Sequence, residues 1–201
     1  VAEDFVTFGD SVTLGGGASD YANGWASLVA ASKGWSLMNV GISGSSLQNT
    51  IQNTVSTIGA AIDNNGRDTY STNLAAYAPD KVSILFGLND LRFSDVNFTD
   101  ILFQNDLEEI VDGLIAYGVR RQNIIIGSPP YVPEATYALY GPSYNAGSRI
   151  KHAAYTAACA AVAASKRTKY IDIYQYMTDN GGDSLISGDG LHPNDAGHAV
   201  I

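Results

Sequence analysis

Short runs of apolar and β-branched residues alternate along the chain with longer stretches whose apolar positions recur at helical spacing. Five runs read as strands: Phe5–Phe8, Leu37–Val40, Val82–Phe86, Ile124–Ile126 and Tyr170–Tyr174. Each is nearly all apolar, as expected of parallel strands covered on both faces. Leu107, Ile110, Val111, Leu114 and Ile115 fall at i, i+3, i+4, i+7 and i+8, one face of an amphipathic helix that Gly118 ends. Leu47, Ile51, Val55, Ile58 and Ile62 predict a second helix, the Ala-rich Ile150–Ala164 segment a third, and Trp25–Lys33 a fourth. Strands alternating with helices predict an α/β fold with a parallel sheet. Ser128–Gly147, rich in Pro, Gly and Tyr, is too long for an ordinary connection and is expected to be a functional loop.

With 201 residues, 45% of them hydrophobic, there is material for one sizeable core, so one domain is expected over 1–201. The chain starts at Val1 and stops at Ile201 inside a predicted helix, as an excised or processed domain would. Twenty acidic against 11 basic side chains give a net charge of -9. That charge repels phosphate backbones and anionic headgroups, so neither nucleic acid nor a membrane surface is an expected partner. No apolar run approaches the ~18 residues of a membrane span, and the chain is expected to be soluble. The single cysteine, Cys159, permits no internal disulfide and leaves the compartment open, a secreted or larger extracellular context included. Oligomeric state is left open as well.

The first predicted strand runs into Gly9-Asp10-Ser11-Val12-Thr13-Leu14-Gly15, which puts a serine at the carboxyl end of a strand, where open parallel sheets build their sites. Taken alone, such a turn is more often structural or a phosphate loop. No Gly-Lys-Ser/Thr, dinucleotide fingerprint or Gly-x-Ser-x-Gly elbow accompanies it. The second strand leads to Asn39-Val40-Gly41-Ile42-Ser43-Gly44 and the third to Gly87-Leu88-Asn89-Asp90. With strand order 2-1-3-4-5, the Ser11 and Gly41 N–H groups and the Asn89 amide converge as donors to the oxyanion of ester hydrolysis. Near the C-terminus, Asp189-Gly190-Leu191-His192-Pro193 sets a histidine three residues after a carboxylate. Asp189 can orient His192, and His192 can take the Ser11 proton.

In this order the four pieces resemble the marker blocks of the SGNH, or GDSL-type, hydrolase family. Gly9-Asp10-Ser11 is similar to the first block, Gly41 to the second, Gly87-x-Asn89-Asp90 to the third and Asp189-x-x-His192 to the fifth. The resemblance implies a three-layer αβα sandwich with a five-stranded parallel sheet. It also implies catalysis without a metal or cofactor on acyl esters, with Ser11, Asp189 and His192 as triad and Ser11, Gly41 and Asn89 as oxyanion donors. The expected substrate is a small-molecule or saccharide ester with a short acyl group, acetyl foremost. A lipase, lysophospholipase or thioesterase on the same scaffold, or a non-catalytic carbohydrate-binding domain, is the alternative.

Other polar residues read more plainly. Asp10 is expected to support the turn, Asp90 and Arg92 to form a surface ion pair, with positioning of Asn89 or contact with substrate as the alternative, His152 to be surface or packing, and Asp195 to cap the last helix ahead of His198. Neither His152 nor His198 belongs to a metal-ligand spacing, so no metal site is expected. Of Tyr131, Tyr137, Tyr140 and Tyr144 in the long loop, Tyr131 at the fourth strand's exit is the best placed to touch substrate, and most of the others to form the loop's own core.

Overall fold

The computed structural model describes residues 4–49, 65–74, 77, 79–139 and 141–201. Five strands, β1 (Asp4–Gly9), β2 (Ser36–Asn39), β3 (Lys81–Leu85), β4 (Ile124–Gly127) and β5 (Lys169–Ile171), form one sheet in the order β2-β1-β3-β4-β5. All four pairings are parallel. The helices are α1 (Ser11–Leu14), α2 (Trp25–Lys33), α3 (Gly66–Asn73), α4 (Asp100–Ala116), α5 (Arg149–Lys166), α6 (Ile173–Asn180) and α7 (Asp195–Val200). Parallel neighbours cannot be joined by hairpins, so helices return the chain over the sheet, and the fold is the three-layer α/β sandwich.

The central strands β1, β3 and β4 bury Phe5, Val6, Phe8, Val82, Ile84, Leu85, Ile124 and Ile126. The edge strands β2 and β5 are only half covered, so the expectation of burial on both faces holds for the middle of the sheet alone. In α4, Phe103, Leu107, Ile110, Val111 and Leu114 make the buried face, Thr99 caps the first turn, and Gly118 turns the chain with φ +97°. Helix α5 lies along α4, where its Ala and Val positions allow close approach.

The fifth strand is shorter than its apolar run suggests. Asp172 accepts the Gln175 N–H and starts α6, so the expected strand residue Tyr174 is helical. The helix expected through Ile51, Val55, Ile58 and Ile62 lies outside the described residues; Leu47 is buried in the loop after β2. Asn194, not Asp195, caps α7 by accepting the Gly197 N–H. Asp195 instead accepts hydrogen bonds from the Ser19 N–H and hydroxyl and from the Asn23 amide.

Candidate active site

β1 ends at Gly9, and the chain turns at once into α1. A side chain at Gly9 would collide with Thr13 and with the Leu85 carbonyl, so the turn can lie on β3 only without a Cβ there. Asp10 caps α1 by accepting the Val12 N–H at 2.9 Å, which leaves Ser11 at the rim of the sheet, 8% exposed. Burial pushes the Asp10 carboxyl up to about 7, against the pull of the Val12 N–H and with the neighbouring Asp90 adding to the rise.

His192 is delivered from the far end of the chain. Its Nε2 lies 2.8 Å from Ser11 Oγ and its Nδ1 2.6 Å from Asp189 Oδ2. A carboxylate only accepts, so Nδ1 carries the proton and Nε2 is free to accept from the Ser11 hydroxyl. Partial burial works against a charge on Asp189. It is outweighed by hydrogen bonds from the His192 ring, the His192 and Leu191 N–H groups and the Ser187 hydroxyl, which hold the carboxyl well below the usual range. The group is therefore an anion throughout the neutral range.

Beside this relay opens a cleft of about 300 Å³, lined by Ser11, His192, Ser43, Gly44, Asn89, Arg92, Tyr144 and Leu191. Asn89 is 6% exposed and uses one amide hydrogen on the Ser45 carbonyl at 2.8 Å, which turns the amide toward the loop after β2 and leaves a second hydrogen. Gly41, expected among the oxyanion donors, does not face the cleft. Its N–H donates to Asn39 Oδ1 at 3.0 Å, and its Cα packs on the α1 backbone at Leu14 and Thr13. Three residues later Gly44 lines the cleft at φ +75°, and its N–H donates to no described residue. The Asn39-x-Gly41 spacing carried the signal, since asparagine commonly accepts from the N–H two residues on.

Asp90 and Arg92 correct a second expectation. Neither is at the surface; they are 0% and 1% exposed. The Asp90 carboxylate accepts the Leu47 and Gln48 N–H groups, pinning the loop that carries Gly44 and Ser45 over Asn89. Burial pushes Asp90 up to about 6, offset in part by those two N–H donors. Arg92 Nη2 donates to the Leu139 carbonyl at 2.8 Å while its guanidinium lies 5.2 Å from the centre of the Tyr144 ring. The pair was misplaced because an Asp-x-Arg sequence says nothing about how deeply its turn sits.

Tyr131 is likewise not among the cleft residues. Its hydroxyl donates to Asp183 Oδ1 at 2.6 Å, and its ring packs on Tyr174 and under the Arg149 guanidinium. Tyr137 is buried in the loop's core, bonded to His152 Nδ1 at 2.8 Å, and Tyr140 lies outside the described residues. Tyr144 is the loop tyrosine at the cleft. Among the described residues no set of three His, Cys, Asp or Glu side chains is grouped to hold a metal ion, and no helix is long and apolar enough to cross a membrane.

Solved structures with the same fold include a lipase/acylhydrolase from Enterococcus faecalis, 22% identical, TM-score 0.73, matched over 98% of this chain and 90% of that one. TesA matches at 22% identity and TM-score 0.66, over 97% of this chain and 91% of its own. A variant of Axe2, an acetyl-xylooligosaccharide esterase from Geobacillus stearmophilus, matches at 20% identity and TM-score 0.68, over 98% and 90%. Among curated protein sequences nothing matches significantly. The family description "GDSL-like Lipase/Acylhydrolase" fits residues 7–200, a span that holds Ser11, Asn89, Asp189 and His192, and the chain therefore belongs to the GDSL-like lipase/acylhydrolase family of hydrolytic enzymes.

Proposed function

We propose that this acylhydrolase removes a short acyl group, acetyl foremost, from a carbohydrate or similar alcohol, with Ser11 as nucleophile. The observation that carries the reading is the unbroken line from Asp189 through His192 to Ser11, with spacings of 2.6 and 2.8 Å, at the mouth of a small cleft. Ser11 Oγ attacks the ester carbonyl as its proton passes to His192 Nε2, and the Asp189 carboxylate stabilises the resulting imidazolium. The oxyanion is met by the Ser11 N–H, the Asn89 amide and the Gly44 N–H, the last in the place first given to Gly41. Collapse expels the alcohol, which takes the proton back from Nε2. Water then attacks the acyl-serine by the same relay.

The short-acyl reading is supported by the cleft wall. A guanidinium and a tyrosine, Arg92 and Tyr144, stand among its lining side chains, and Leu191 is its one aliphatic contribution among the described residues. An acyl tunnel needs a continuous apolar lining, because each buried methylene contributes about 0.8 kcal/mol, roughly fourfold in rate constant per carbon. An acetyl-xylooligosaccharide esterase shares the fold, as do a lipase/acylhydrolase and TesA, so the fold alone does not choose a substrate.

The test is a series of nitrophenyl esters from acetate to octanoate, run beside acetylated saccharides and phospholipids. Efficiency should peak between acetate and butyrate and collapse by octanoate, with acetylated sugars preferred to phospholipids. Efficiency that climbs out to long chains would replace this reading with the lipase one. Rapid labelling of Ser11 by an organophosphonate separates either enzyme from a carbohydrate-binding domain.

A further inference from the structure

Six residues beyond His192 lies a second histidine that takes no part in the relay. His198 is 1% exposed, on the buried side of α7. Its Nδ1 is 3.3 Å from the Trp25 N–H, and its Nε2 is 2.9 Å from the Gly16 carbonyl. A backbone N–H only donates, so Nδ1 accepts and the ring proton must be on Nε2, where it is given to Gly16. Burial favours the neutral ring that this arrangement requires, lowering the pKa below the ordinary histidine value.

Each bond has a separate job. Helix α2 begins after Gly24, which has no side chain to cap it, and His198 Nδ1 reaches across from α7 to occupy the Trp25 N–H in its stead. The other bond bears on the chemistry. Gly16 N–H donates to the Ser11 carbonyl at 2.7 Å, so one side of this residue is tied to the nucleophile and the other to His198. Between these ties its Cα lies against the imidazole of His192: a Cβ built on Gly16 would sit 2.8 Å from His192 Cδ2 and 3.2 Å from Nε2. The ring edge that faces Ser11 thus rests on bare backbone. Among the described residues, His198 alone donates to the Gly16 carbonyl.

We propose that His198 is a positioning residue: by holding the Gly16 carbonyl it keeps that backbone pressed against the edge of His192 and so fixes the alignment of base to nucleophile. This rests on the reading of Ser11 and His192 as nucleophile and base. With the Gly16 tie cut, the Gly15–Gly17 backbone relaxes away from α7, the imidazole gains room to tilt, and the Ser11 proton must cross a longer, more bent path.

Two substitutions separate the two bonds. In His198→Asn, the side-chain oxygen falls near the Nδ1 position and keeps the Trp25 cap, but nothing reaches Gly16. In His198→Gln, the amide nitrogen falls near the Nε2 position and keeps the bond to Gly16, while the cap is lost. His198→Asn should lower kcat on nitrophenyl acetate by about 10- to 100-fold with KM little changed, and should slow organophosphonate labelling of Ser11 equally. His198→Gln should stay within about threefold of the parent rate, although its melting temperature falls at least as far. Equal loss of kcat in both variants, parent rates in both, or activity that simply tracks melting temperature overturns the proposal. If the asparagine variant does not fold, the glutamine variant decides: a folded His198→Gln that loses more than about tenfold in kcat is incompatible with the Gly16 tie being what matters. Ser11→Ala distinguishes a failure of this proposal from a failure of the nucleophile assignment, since only the latter allows that variant to turn over.

Discussion

Replacing Gly16 by alanine tests how tightly the base is held. The added methyl would meet His192 Cδ2 at 2.8 Å, the Ser11 carbonyl oxygen at 2.9 Å and His192 Nε2 at 3.2 Å, whereas ordinary contact begins near 3.4 Å. Relieving the worst of these moves the ring by about 0.6 Å. A displacement of that size takes the 2.8 Å bond between His192 Nε2 and Ser11 Oγ toward its useful limit. If a misplacement of about 1 Å costs roughly 100-fold, the expected loss in kcat is about 10- to 30-fold. KM should barely change, because the methyl points at the base and not into the cleft. The assay is steady-state hydrolysis of nitrophenyl acetate, paired with thermal unfolding. Gly188→Ala is the control: it too adds one methyl beside a triad residue in sequence, but with no atom within 4 Å. It should leave both readouts unchanged. A Gly16→Ala enzyme with parental kcat and parental melting temperature would refute the claim that this backbone pins the imidazole.

Ser11→Ala and His192→Ala should each lower turnover by roughly 10⁴-fold or more, with the double variant scarcely worse, because relay members act as a unit; substantial activity in folded Ser11→Ala removes it as nucleophile. Asn89→Ala should cost about 10²–10³ in kcat with little change in KM, and an effect on KM alone would make Asn89 a turn residue only. Tyr144→Ala should weaken acetylated saccharides more than nitrophenyl acetate, whereas Tyr131→Ala, which disturbs the Asp183 and Arg149 contacts, should alter stability without changing that ratio. The Asp10 contribution to stability should fall as pH rises from about 4 to about 7, while the buried His152 and His198, whose pKa values are lowered by burial, contribute in the opposite sense. Folded Asp10 keeps its proton up to about 7 while the unfolded carboxyl releases it near 3.8, so the stabilisation held by the protonated form is lost across that window, at up to about 1.4 kcal/mol per pH unit. Asp10→Asn, which keeps the oxygen that accepts the Val12 N–H, should gain stability relative to the parent as pH rises through that window; a difference in melting temperature that stays constant with pH removes Asp10 as a source of the dependence.

What the sequence determined alone was what depends on short-range pattern. The i, i+3, i+4 spacing of Leu107 to Ile115 is enough to define the buried face of α4, and the apolar runs at β1, β3 and β4 place the middle of the sheet, because a strand buried on both faces is apolar at most positions, with Thr7 and Ser83 the small polar exceptions in β1 and β3. Ser11, Asn89, Asp189 and His192 were legible because each sits at a strand exit or a tight turn with chemistry suited to the others. Only the tertiary structure decided which groups face the cleft. Gly41 is the donor the sequence points to, but the Asn39 side chain consumes its N–H, and it is Gly44 that lines the cleft. Asp90 and Arg92 look like a surface pair until the loop after β2 is seen to close over Asp90 and the long loop after β4 over Arg92, and Tyr131 looks like a substrate contact until Asp183, 52 residues away, claims its hydroxyl. The same holds for His198, whose partners Trp25 and Gly16 lie 173 and 182 residues distant. Local propensity is written in neighbours along the chain, whereas the availability of a donor is set by whatever the fold brings against it from elsewhere.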